Sequence, residues 1–553
     1  NMKRNQKVTD SLISERYFYG VSPDAKKHLL SSLSNLRDGA PATPPFPLYG
    51  KSDWSVVTDF LKTISSRSDV PPWLLEYEYS REDKFGLQGG HAPWNELREN
   101  AELYFTRPQP VKSVAQDGSH YRGMNLQMLS VSDTLKVLKG DDKIQTRAAG
   151  WRAFNLKKTD PLAQRMALED IHSGNWVNGW AYFFSKFSKR KKRLFVPMPM
   201  SSMILQAQYY NPFLKAIQED LRLKGPNSQF RFWADKIGFD FCFHRVLEPI
   251  LAGVDPTHIV YVMRDFDKMD TSTGVEQKKA FFLPKLATAF NYSTNSANYR
   301  RMEDIMLFSN RCPIATPEGI WTGAHGEASG ATVTNGGETC CNESYNAEFQ
   351  SILQEILPND IINSELISLG NGDDGITLYY LDDVSRFDEF AAAIRKAAEG
   401  AAEKCGFVIQ AEKWDIHLGT YGKYCQYLID WNGSLLRAMY PASLILNSIV
   451  NPQKQYRKSD WDKDFRDIDV IIRLTNGREL PYFYDLIDYV DNGMKYRLLG
   501  NSEEATRRIL SKYDSYRALQ DGSVEFNRWD DTDAGLASNP VVIYLLKKRN
   551  HHI

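Results

Sequence analysis

The strongest constraint in this sequence is a short hairpin in the second half of the chain. Two apolar stretches, Leu366–Leu369 and Ile376–Tyr380, flank a Gly-rich turn that carries Asp373 and Asp374. Apolar runs with β-branched and aromatic residues around a turn rich in Gly and Asp predict two antiparallel strands. The hairpin therefore presents two carboxylates at its tip.

A second group of carboxylates follows an apolar run earlier in the chain. Residues His258–Met263 predict a buried strand, which is followed by Asp265 and, five residues later, by Asp270. A carboxylate at a strand end beside a pair at a hairpin tip can hold two divalent cations, as phosphoryl transfer requires. Because Mg²⁺ prefers such oxygens, Asp265, Asp373 and Asp374 are the predicted ligands of Mg²⁺, with Mn²⁺ as an alternative.

Each part of this pattern has an ordinary structural explanation when it stands alone. An Asp-Asp pair between glycines commonly serves the turn itself. Asp382 and Asp383 lie just before a predicted helix and are expected to cap it. The prediction of catalysis therefore depends on the order of the whole set.

That ordered set resembles the palm motifs of the viral RNA-dependent RNA polymerases. Residues 265–270, Asp-Phe-Asp-Lys-Met-Asp, look like the first motif, and residues 329–335, Ser-Gly-Ala-Thr-Val-Thr-Asn, look like the second. Gly372-Asp373-Asp374 is the third. The motifs cover about residues 258–440 in the family's order. The second motif and the chain length look most like the polymerases of picobirnaviruses, and next those of partitiviruses, both of which have double-stranded RNA genomes.

The resemblance implies roles for individual residues. Asp265 and Asp373 would bind both metal ions, Asp374 would support the site, and Asp270 would sense the ribose 2′-hydroxyl of the incoming nucleotide. The second motif would orient that ribose and Asp270 through four substrate-binding residues, Ser329, Gly330, Thr334 and Asn335.

The second motif departs from the commonest family pattern at one position. That pattern has Asn four residues after the Thr, whereas this chain has Glu338 there and places Asn335 directly after Thr334. Either Asn335 or Glu338 could therefore complete recognition of the sugar.

Six basic residues occupy eight positions between 186 and 193. A run of this kind is often a solvated face or a localisation signal. It is also similar to the polymerases' finger motif that contacts nucleotide phosphates, and the apolar strand that follows at once favours this interpretation. Arg193 is then expected to stack on the incoming base or clamp its triphosphate, since its planar head carries several donors. Lys189 and Arg190 are further candidates.

Two more segments match the family by position. Lys413 falls where the fourth palm motif supplies a proton donor to the leaving pyrophosphate, and an ordinary surface lysine is the alternative. Residues 425–428 fall where a primer-gripping hairpin would be, beside a hairpin turn predicted at Asn432-Gly433. Strands are expected over 424–429 and 435–439.

By resemblance, the expected architecture is an α+β right-hand polymerase. The length alone predicts several packed subdomains, because 553 residues are too many for one hydrophobic core. The palm would be a small antiparallel sheet backed by helices, and the thumb helical. We expect an N-terminal segment and connector over 1–50, mainly fingers over 51–257, mainly palm over 258–440 with a fingers insertion around 275–320, and the thumb and C-terminal segment over 441–553. Further helices are expected over 211–223, 277–290, 334–357 and 385–405 from their periodicity and capping residues.

The composition excludes few classes of binding partner. The net charge is −1, but a nearly neutral protein can still carry a basic channel. No stretch is apolar enough for a membrane helix, and the six cysteines are expected to be free thiols without a zinc site. By resemblance, the partners would be RNA template and product, ribonucleoside triphosphates and a viral capsid protein. The protein would be a monomer in the virion interior and the host cytoplasm.

The predicted reaction is templated attack of an RNA 3′-hydroxyl on a ribonucleoside triphosphate, which replicates and transcribes a viral genome. Two alternatives remain. A reverse transcriptase could use the same palm, although its relatives usually place a bulky side chain where this chain has Asp270. A non-catalytic RNA-binding viral protein is the other, although the three metal-site aspartates are intact.

Overall fold

The computed structural model describes residues 12–113, 118–139, 147–236, 242–453, 463–518 and 535–553. The helices within these ranges are α1 (Pro23–Asp38), α2 (Ser55–Ile64), α3 (Pro72–Tyr79), α4 (Trp94–Thr106), α5 (Val131–Lys139), α6 (Pro161–Ser173), α7 (Met200–Lys224), α8 (Cys242–Leu251), α9 (Met269–Ser272), α10 (Val275–Gln277), α11 (Leu283–Phe290), α12 (Ala297–Arg311), α13 (Thr334–Ile356), α14 (Phe387–Cys405), α15 (Ala442–Val450), α16 (Lys463–Thr475), α17 (Phe483–Gly493), α18 (Glu503–Leu510), α19 (Tyr513–Ala518) and α20 (Pro540–Lys548).

The strands are β1 (Ala181–Tyr182), β2 (Phe184–Ser188), β3 (Lys191–Phe195), β4 (Ile259–Arg264), β5 (Ile314–Thr316), β6 (Gly319–Trp321), β7 (Asn363–Asn371), β8 (Asp374–Leu381), β9 (Ile416–Leu418), β10 (Gly422–Tyr424), β11 (Tyr427–Trp431) and β12 (Leu436–Met439). Together with the helices they give an α+β fold, as predicted.

A four-stranded antiparallel sheet with the order β7-β8-β4-β9 occupies the middle of the fold. Strand β4 is buried along its whole length. Its side chains alternate between two hydrophobic cores: Val260 and Val262 pack with helices α13 and α14, and Tyr261 and Met263 face the core built by α7, α8 and α11. A strand that is buried on both faces has apolar side chains at successive positions. This explains the continuous apolar run at residues 258–263.

Three smaller sheets surround this one. They are the mixed sheet β1-β5-β6, the hairpin β2-β3 and the meander β10-β11-β12. The hairpin β2-β3 carries the basic run, with its two strands in register from Phe184↔Phe195 to Ser188↔Lys191.

Residues 48–85 share a hydrophobic core with the C-terminal helices. Val57, Phe60 and Leu74 belong to the same buried cluster as Leu446 and Leu486. The packing therefore groups helices α2 and α3 with the region after 441 rather than with the rest of 51–257. The predicted domain boundaries otherwise remain predictions.

Most predicted elements are present, and three differ in detail. The helix over 277–290 is interrupted by a π-helical turn at Lys278–Phe282, because Pro284 lacks the amide hydrogen that a regular α-helix needs. The helix expected from Ser385 begins at Phe387, and the Asp383 side chain accepts from the Ser385 amide at 3.1 Å to cap the preceding 3₁₀ turn.

The strand predicted over 424–429 is wrong. It is two strands, β10 and β11, joined by a tight turn at Cys425 and Gln426, whose φ angles are 50° and 69°. Tight turns with positive φ usually contain Gly or Asn. This turn contains neither, so the sequence did not predict it.

Two further observations concern the chain as a whole. The six cysteines are buried free thiols. Among the described residues, none of the helices combines the length and apolar character needed to span a membrane.

Candidate active site

The three aspartates predicted as metal ligands meet at one end of the central sheet. The pairing of β4 with β8 ends at Arg264↔Gly375, so Asp265 continues β4 alongside Asp374. The pairing Asn371↔Asp374 closes the hairpin around Gly372 and Asp373. Gly372 has a φ of +60° and supplies the left-handed backbone that this turn requires.

The electrostatics of these aspartates confirm that they lie close together. Burial raises the pKa of Asp373 to about 7, and the charges of Asp374 and Asp270 add to the rise. Burial likewise raises the pKa of Asp265. All three side chains are nevertheless exposed to solvent, although protein atoms crowd them. Like charges held this close together disfavour ionisation, and a bound cation would relieve that cost.

The three carboxylates fit a divalent cation whose coordination shell is completed by the substrate. No three His, Cys, Asp or Glu side chains in the described part of the chain converge into a complete metal cage. Mg²⁺ is commonly held by only one or two carboxylates, with phosphate oxygens and water filling its remaining positions. Asp265, Asp373 and Asp374 provide carboxylates of that kind on adjoining strand ends.

A buried arginine holds the hairpin from below. Arg264 donates from Nη1 to Thr377 Oγ1 at 2.7 Å, from Nε to Asn342 Oδ1 at 3.1 Å, and from Nη2 to the carbonyl of Leu369. Desolvation lowers the pKa of Arg264 to about 10. This side chain therefore ties both strands of the hairpin to helix α13.

Helix α13 also contacts the turn itself. The Gly372 amide donates to Thr339 Oγ1 at 2.8 Å. Asn342 Nδ2 donates to the carbonyls of Gly372 at 3.1 Å and Asp374 at 2.7 Å. Arg264, Thr339 and Asn342 are supporting residues that the sequence did not reveal, because nothing in their local pattern distinguishes them from ordinary core polar residues.

Asp270 lies beside the second motif, as predicted. Ser329 Oγ donates to Asp270 Oδ2 at 2.5 Å, and the Tyr104 hydroxyl lies 2.5 Å from the same Ser329 oxygen. The backbone is joined as well, since the Glu327 amide donates to the Asp270 carbonyl at 2.8 Å. The position of Asp270 is thus set by the loop of the second motif and by helix α4.

The other second-motif residues make different contacts. A Cβ on Gly330 would lie 2.2 Å from the Val196 carbonyl oxygen, so only glycine allows the loop to approach the chain after β3 this closely. Thr334 Oγ1 donates to the Ala328 carbonyl at 2.7 Å and closes the loop where α13 begins.

Asn335 and Glu338 face different neighbours. A Cβ built on Gly372 would lie 2.7 Å from Asn335 Oδ1, so the Asn335 amide packs against the hairpin turn, and it also reaches the Tyr210 hydroxyl. Glu338 is buried in hydrogen-bond contact with Asp270, and burial followed by the charge of Asp270 raises the pKa of Glu338 well above its usual range.

The basic hairpin sends its side chains in several directions. Lys189 and Arg190 form its turn, both with positive φ. Lys189 and Arg193 line a cavity of about 180 Å³, together with Lys186 and with Arg473 of α16, and none of its described lining residues is acidic. Arg190 instead packs against Gly86 in a separate cavity of about 1140 Å³. The three predicted residues therefore do not form one cluster.

Two lysines near the aspartates were not singled out from the sequence. Lys191 opposes the rise in the pKa of Asp265, and Lys423 of β10 does so for both Asp265 and Asp374. Lys189 and Lys236 act on Asp374 in the same sense. Lys191 belongs to the basic run, but Lys423 stands alone in the sequence and could not have been recognised there.

Lys413 lies on the surface near the site without a direct contact to the aspartates among the described residues. It ends a short 3₁₀ turn, Ala411–Lys413, and its side chain is exposed. The next residue, Trp414, donates from Nε1 to the Asp265 carbonyl at 2.9 Å. The predicted proton-donor role of Lys413 stays a prediction.

The sequence and the fold of this protein were compared with those of known proteins. No protein-family model and no curated protein matches this sequence. The fold of the chain is nevertheless similar to that of solved viral RNA-dependent RNA polymerases.

Two solved structures carry this comparison. The crystal structure of the RNA-dependent RNA polymerase of a human picobirnavirus matches with a TM-score of 0.72 at 16% sequence identity, covering 97% of this chain and 100% of that one. An insertion loop deletion mutant of the RNA-dependent RNA polymerase of a human picobirnavirus matches with a TM-score of 0.73 at 16% identity and the same coverage. The predicted resemblance to picobirnavirus polymerases is therefore confirmed for the fold.

Proposed function

We propose that this protein is an RNA-directed RNA polymerase. The observation that carries the proposal is the meeting of Asp265, Asp373 and Asp374 at adjoining strand ends of a fold shared with such polymerases. In the proposed reaction, an RNA 3′-hydroxyl attacks the α-phosphorus of a ribonucleoside triphosphate. A phosphodiester bond forms, and pyrophosphate leaves.

The aspartates would hold Mg²⁺, or Mn²⁺ in its place. Asp265 and Asp373 are the proposed ligands of both ions, with Asp374 as a supporting ligand. Bound ions of this kind lower the pKa of the attacking hydroxyl and neutralise charge at the transferring phosphorus. Arg264 and Thr339 keep the carboxylates in place by fixing the hairpin below them.

The cations around the aspartates would attract and place phosphates. Lys191 and Lys423 act on the metal-site carboxylates. Lys189 acts on Asp374 as well, and it lines the cavity that contains Arg193. We propose that Arg193 contacts the incoming triphosphate and that Lys413 donates a proton to the leaving pyrophosphate. Arg190 is proposed to act outside this cluster, because it faces another cavity.

The sugar side of the site would be formed by the first and second motifs. Asp270, held by Ser329, is proposed to accept from the ribose 2′-hydroxyl. Gly330 and Thr334 keep the loop of the second motif in its tight path, and Asn335 braces the hairpin turn.

The wider biology is part of the same proposal. The central sheet with α13 and α14 would be the palm, the β2-β3 hairpin part of the fingers, and the C-terminal helices the thumb. The protein would act as a monomer on a double-stranded RNA genome, inside the virion and in the host cytoplasm, with the capsid protein as a partner.

A polymerisation assay tests the activity. The purified protein is incubated with a short RNA template, with and without a primer, and with ribo- or deoxyribonucleotides in Mg²⁺. We expect template-dependent RNA synthesis, and near-complete loss of it in Asp373→Ala. The matched control is Asp382→Ala, because Asp382 is exposed just beyond the other end of β8.

Three results would contradict the proposal. Deoxyribonucleotide incorporation above ribonucleotide incorporation would indicate a reverse transcriptase. RNA binding without any metal-dependent synthesis would indicate a non-catalytic protein. Near-wild-type synthesis by Asp373→Ala would disprove the assignment of the metal ligands.

A further inference from the structure

The cavity under Arg190 has no part in the proposed reaction. It has a volume of about 1140 Å³ and lies between residues 45–54, residues 79–87 and the turn of the β2-β3 hairpin. Small-molecule sites in proteins commonly have volumes of about 300–1,000 Å³, so this cavity has room for a nucleotide together with water. The groups on its wall indicate which ligand it would take.

The wall of the cavity is fixed by hydrogen bonds to its surroundings. The Gly86 amide donates to Asn447 Oδ1 at 3.0 Å. Gln88 holds two other segments, because its Nε2 donates to the Asn451 carbonyl at 2.8 Å and its Oε1 accepts from the Lys189 amide at 2.8 Å. Asn447 and Gln88 are both buried. The loop is thereby tied to the end of α15 and to the hairpin turn, so the cavity is a pre-formed part of the fold.

An aromatic surface and two carboxylates lie side by side on this wall. Trp54 packs against Phe85 with the ring centroids 5.5 Å apart, and part of the Trp54 side chain stays exposed. Glu82 and Asp83 belong to the 3₁₀ turn that ends just before Phe85. Both are exposed, and their side chains form no ion pair or hydrogen bond with the residues that the structure describes. Their oxygens are therefore available to a ligand.

Arg190 is the one cation among the described residues that line the cavity, which otherwise carry the carboxylates of Asp53, Glu82 and Asp83. Its guanidinium lies against the loop, since a Cβ on Gly86 would be 2.7 Å from Arg190 Nη1. Within the described part of the chain, this guanidinium has no ion-pair or hydrogen-bond partner. Three carboxylates against one guanidinium repel a strand of phosphates, whereas a single phosphate can pair with Arg190.

These groups match one nucleobase better than the others. An ionised carboxylate only accepts hydrogen bonds, and it offers two oxygens side by side. Guanine presents two neighbouring donors on its Watson–Crick edge, the N1–H and the 2-amino group. The other three RNA bases place an acceptor beside each donor on that edge, and a carboxylate repels that acceptor. Aromatic side chains stack on bases, and a planar guanidinium pairs with phosphate oxygens.

We propose that this cavity binds a guanosine nucleotide at a site separate from the substrate site of the proposed polymerase. The base would stack on Trp54 and donate to the carboxylates of Glu82 and Asp83, and the phosphate would pair with Arg190. Two sources offer this chemistry: a free guanosine nucleotide, and the 5′ end of an RNA that begins with guanosine 5′-phosphate. The inference goes beyond the proposed function and does not require that the protein synthesise RNA.

The first test measures base preference by calorimetric titration of the full chain with GMP. A chelator is present, so that the proposed metal-dependent site does not contribute, and GMP lacks the triphosphate that polymerisation consumes. We expect GMP to bind more tightly than AMP, CMP or UMP on the order of tenfold or more, the effect of a hydrogen bond to a charged group. Inosine monophosphate lacks the 2-amino group and should bind with intermediate affinity.

The second test assigns the contacts. The double variant Glu82→Gln/Asp83→Asn should bind GMP on the order of tenfold more weakly and leave the affinity for AMP unchanged. Arg190→Ala should weaken binding of GMP but not of guanosine, which has no phosphate. Glu76→Gln is the matched control, because Glu76 is an exposed carboxylate of α3 outside the cavity, and it should bind GMP as the wild type does.

Competition against a fluorescent guanosine nucleotide distinguishes the two sources. Displacement by GMP and by a trinucleotide that begins with guanosine 5′-phosphate would indicate RNA 5′ ends. Displacement by GMP alone would indicate a free nucleotide. A trinucleotide of the same composition that begins with adenosine should not compete.

Four results would overturn the proposal: no binding of GMP, equal affinity for all four mononucleotides, an unchanged affinity for GMP in the double variant, or equal displacement by both trinucleotides. Failure of the polymerisation assay would count against the proposed function and leave these binding measurements unaffected.

Discussion

Asp373 shows how a proposed metal ligand can weaken the metal-free protein. Its pKa is raised to about 7 from an ordinary value of 3.8, mainly by burial. Such a carboxyl holds its proton in the folded state at a pH where the unfolded chain has lost it. The folded state therefore loses stability as the pH rises from about 4 to about 7. Above pH 7 this group causes no further loss of stability.

This effect predicts a stability gain on removing the charge. In the presence of a chelator, Asp373→Asn should unfold at a higher temperature than the wild type at pH 8, because asparagine does not ionise. The gap should narrow at pH 5, where Asp373 is protonated in the folded wild type. Thermal unfolding at both pH values measures this, with Asp382→Asn, just beyond the opposite end of β8, as the control. A gap that does not change with pH would show that Asp373 is not the cause.

At the residue scale, the sequence predicted the aspartates that meet at the candidate site but not the residues that hold them in place. Asp265 and Asp373 follow apolar runs, which leaves a local signal. Arg264 also sits at the end of a strand, yet its partners Asn342 and Thr377 are distant in sequence, so its buried position could not be inferred. The contact between Glu338 and Asp270 is likewise a product of tertiary packing alone.

At the scale of elements, helix α13 is the support for the hairpin β7-β8. Thr339 Oγ1 accepts from the Gly372 amide at 2.8 Å and donates to the Asn335 carbonyl at 2.7 Å. Its hydroxyl is therefore the link between the helix backbone and the turn that carries Asp373. Hairpin and helix were both predicted from periodicity, but this link was not, because a buried threonine in a helix has many ordinary uses.

Replacement of this hydroxyl should impair catalysis out of proportion to stability. Thr339→Val leaves the buried Gly372 amide unpaired, which costs about 1–3 kcal/mol of unfolding free energy. The displaced turn should also reduce the rate of RNA synthesis roughly ten- to a hundredfold, since small shifts of catalytic groups have effects of that size. Calorimetry and the polymerisation assay measure the two effects.

Thr475 offers a matched control in α16. It is buried, donates to the Ile471 carbonyl at 2.7 Å and accepts from Asn539 Nδ2 at 2.9 Å, in the core shared by the C-terminal helices and residues 48–85. Thr475→Val should lower stability by a similar amount and leave the rate unchanged. Equal losses of rate in both variants would mean that the link to the hairpin has no special role.

At the scale of the whole molecule, one carboxylate joins the N-terminal and C-terminal parts of the chain. Glu78 of α3 is fully buried and accepts from the Ala442 amide at 2.8 Å, the Ser443 amide at 3.0 Å and the Tyr482 hydroxyl at 2.6 Å. It thus satisfies backbone amides at the start of α15, where the N-cap residue, Pro441, supplies no side-chain hydrogen bond. The composition of residues 71–80 gave no sign of a contact so far along the chain.

Glu78→Gln should destabilise the protein by about 1–3 kcal/mol, because one of its two acceptor oxygens becomes an amide donor that faces other donors. The thermal midpoint measures this, with Glu76→Gln on the exposed side of the same helix as the control. If both variants unfold at the same temperature, Glu78 does not join the two parts of the molecule.

The same contact has a consequence for how the protein is made. Glu78 and Ala442 are 364 residues apart, so α2 and α3 leave the ribosome long before the helices they pack against. Their apolar faces stay exposed until α15 and α17, which pack against them, have been translated. Such distant pairings slow folding and leave surface open to aggregation in the meantime. Yield in a heterologous host should therefore depend on chaperone supply and translation speed more than the stability of the finished protein would suggest.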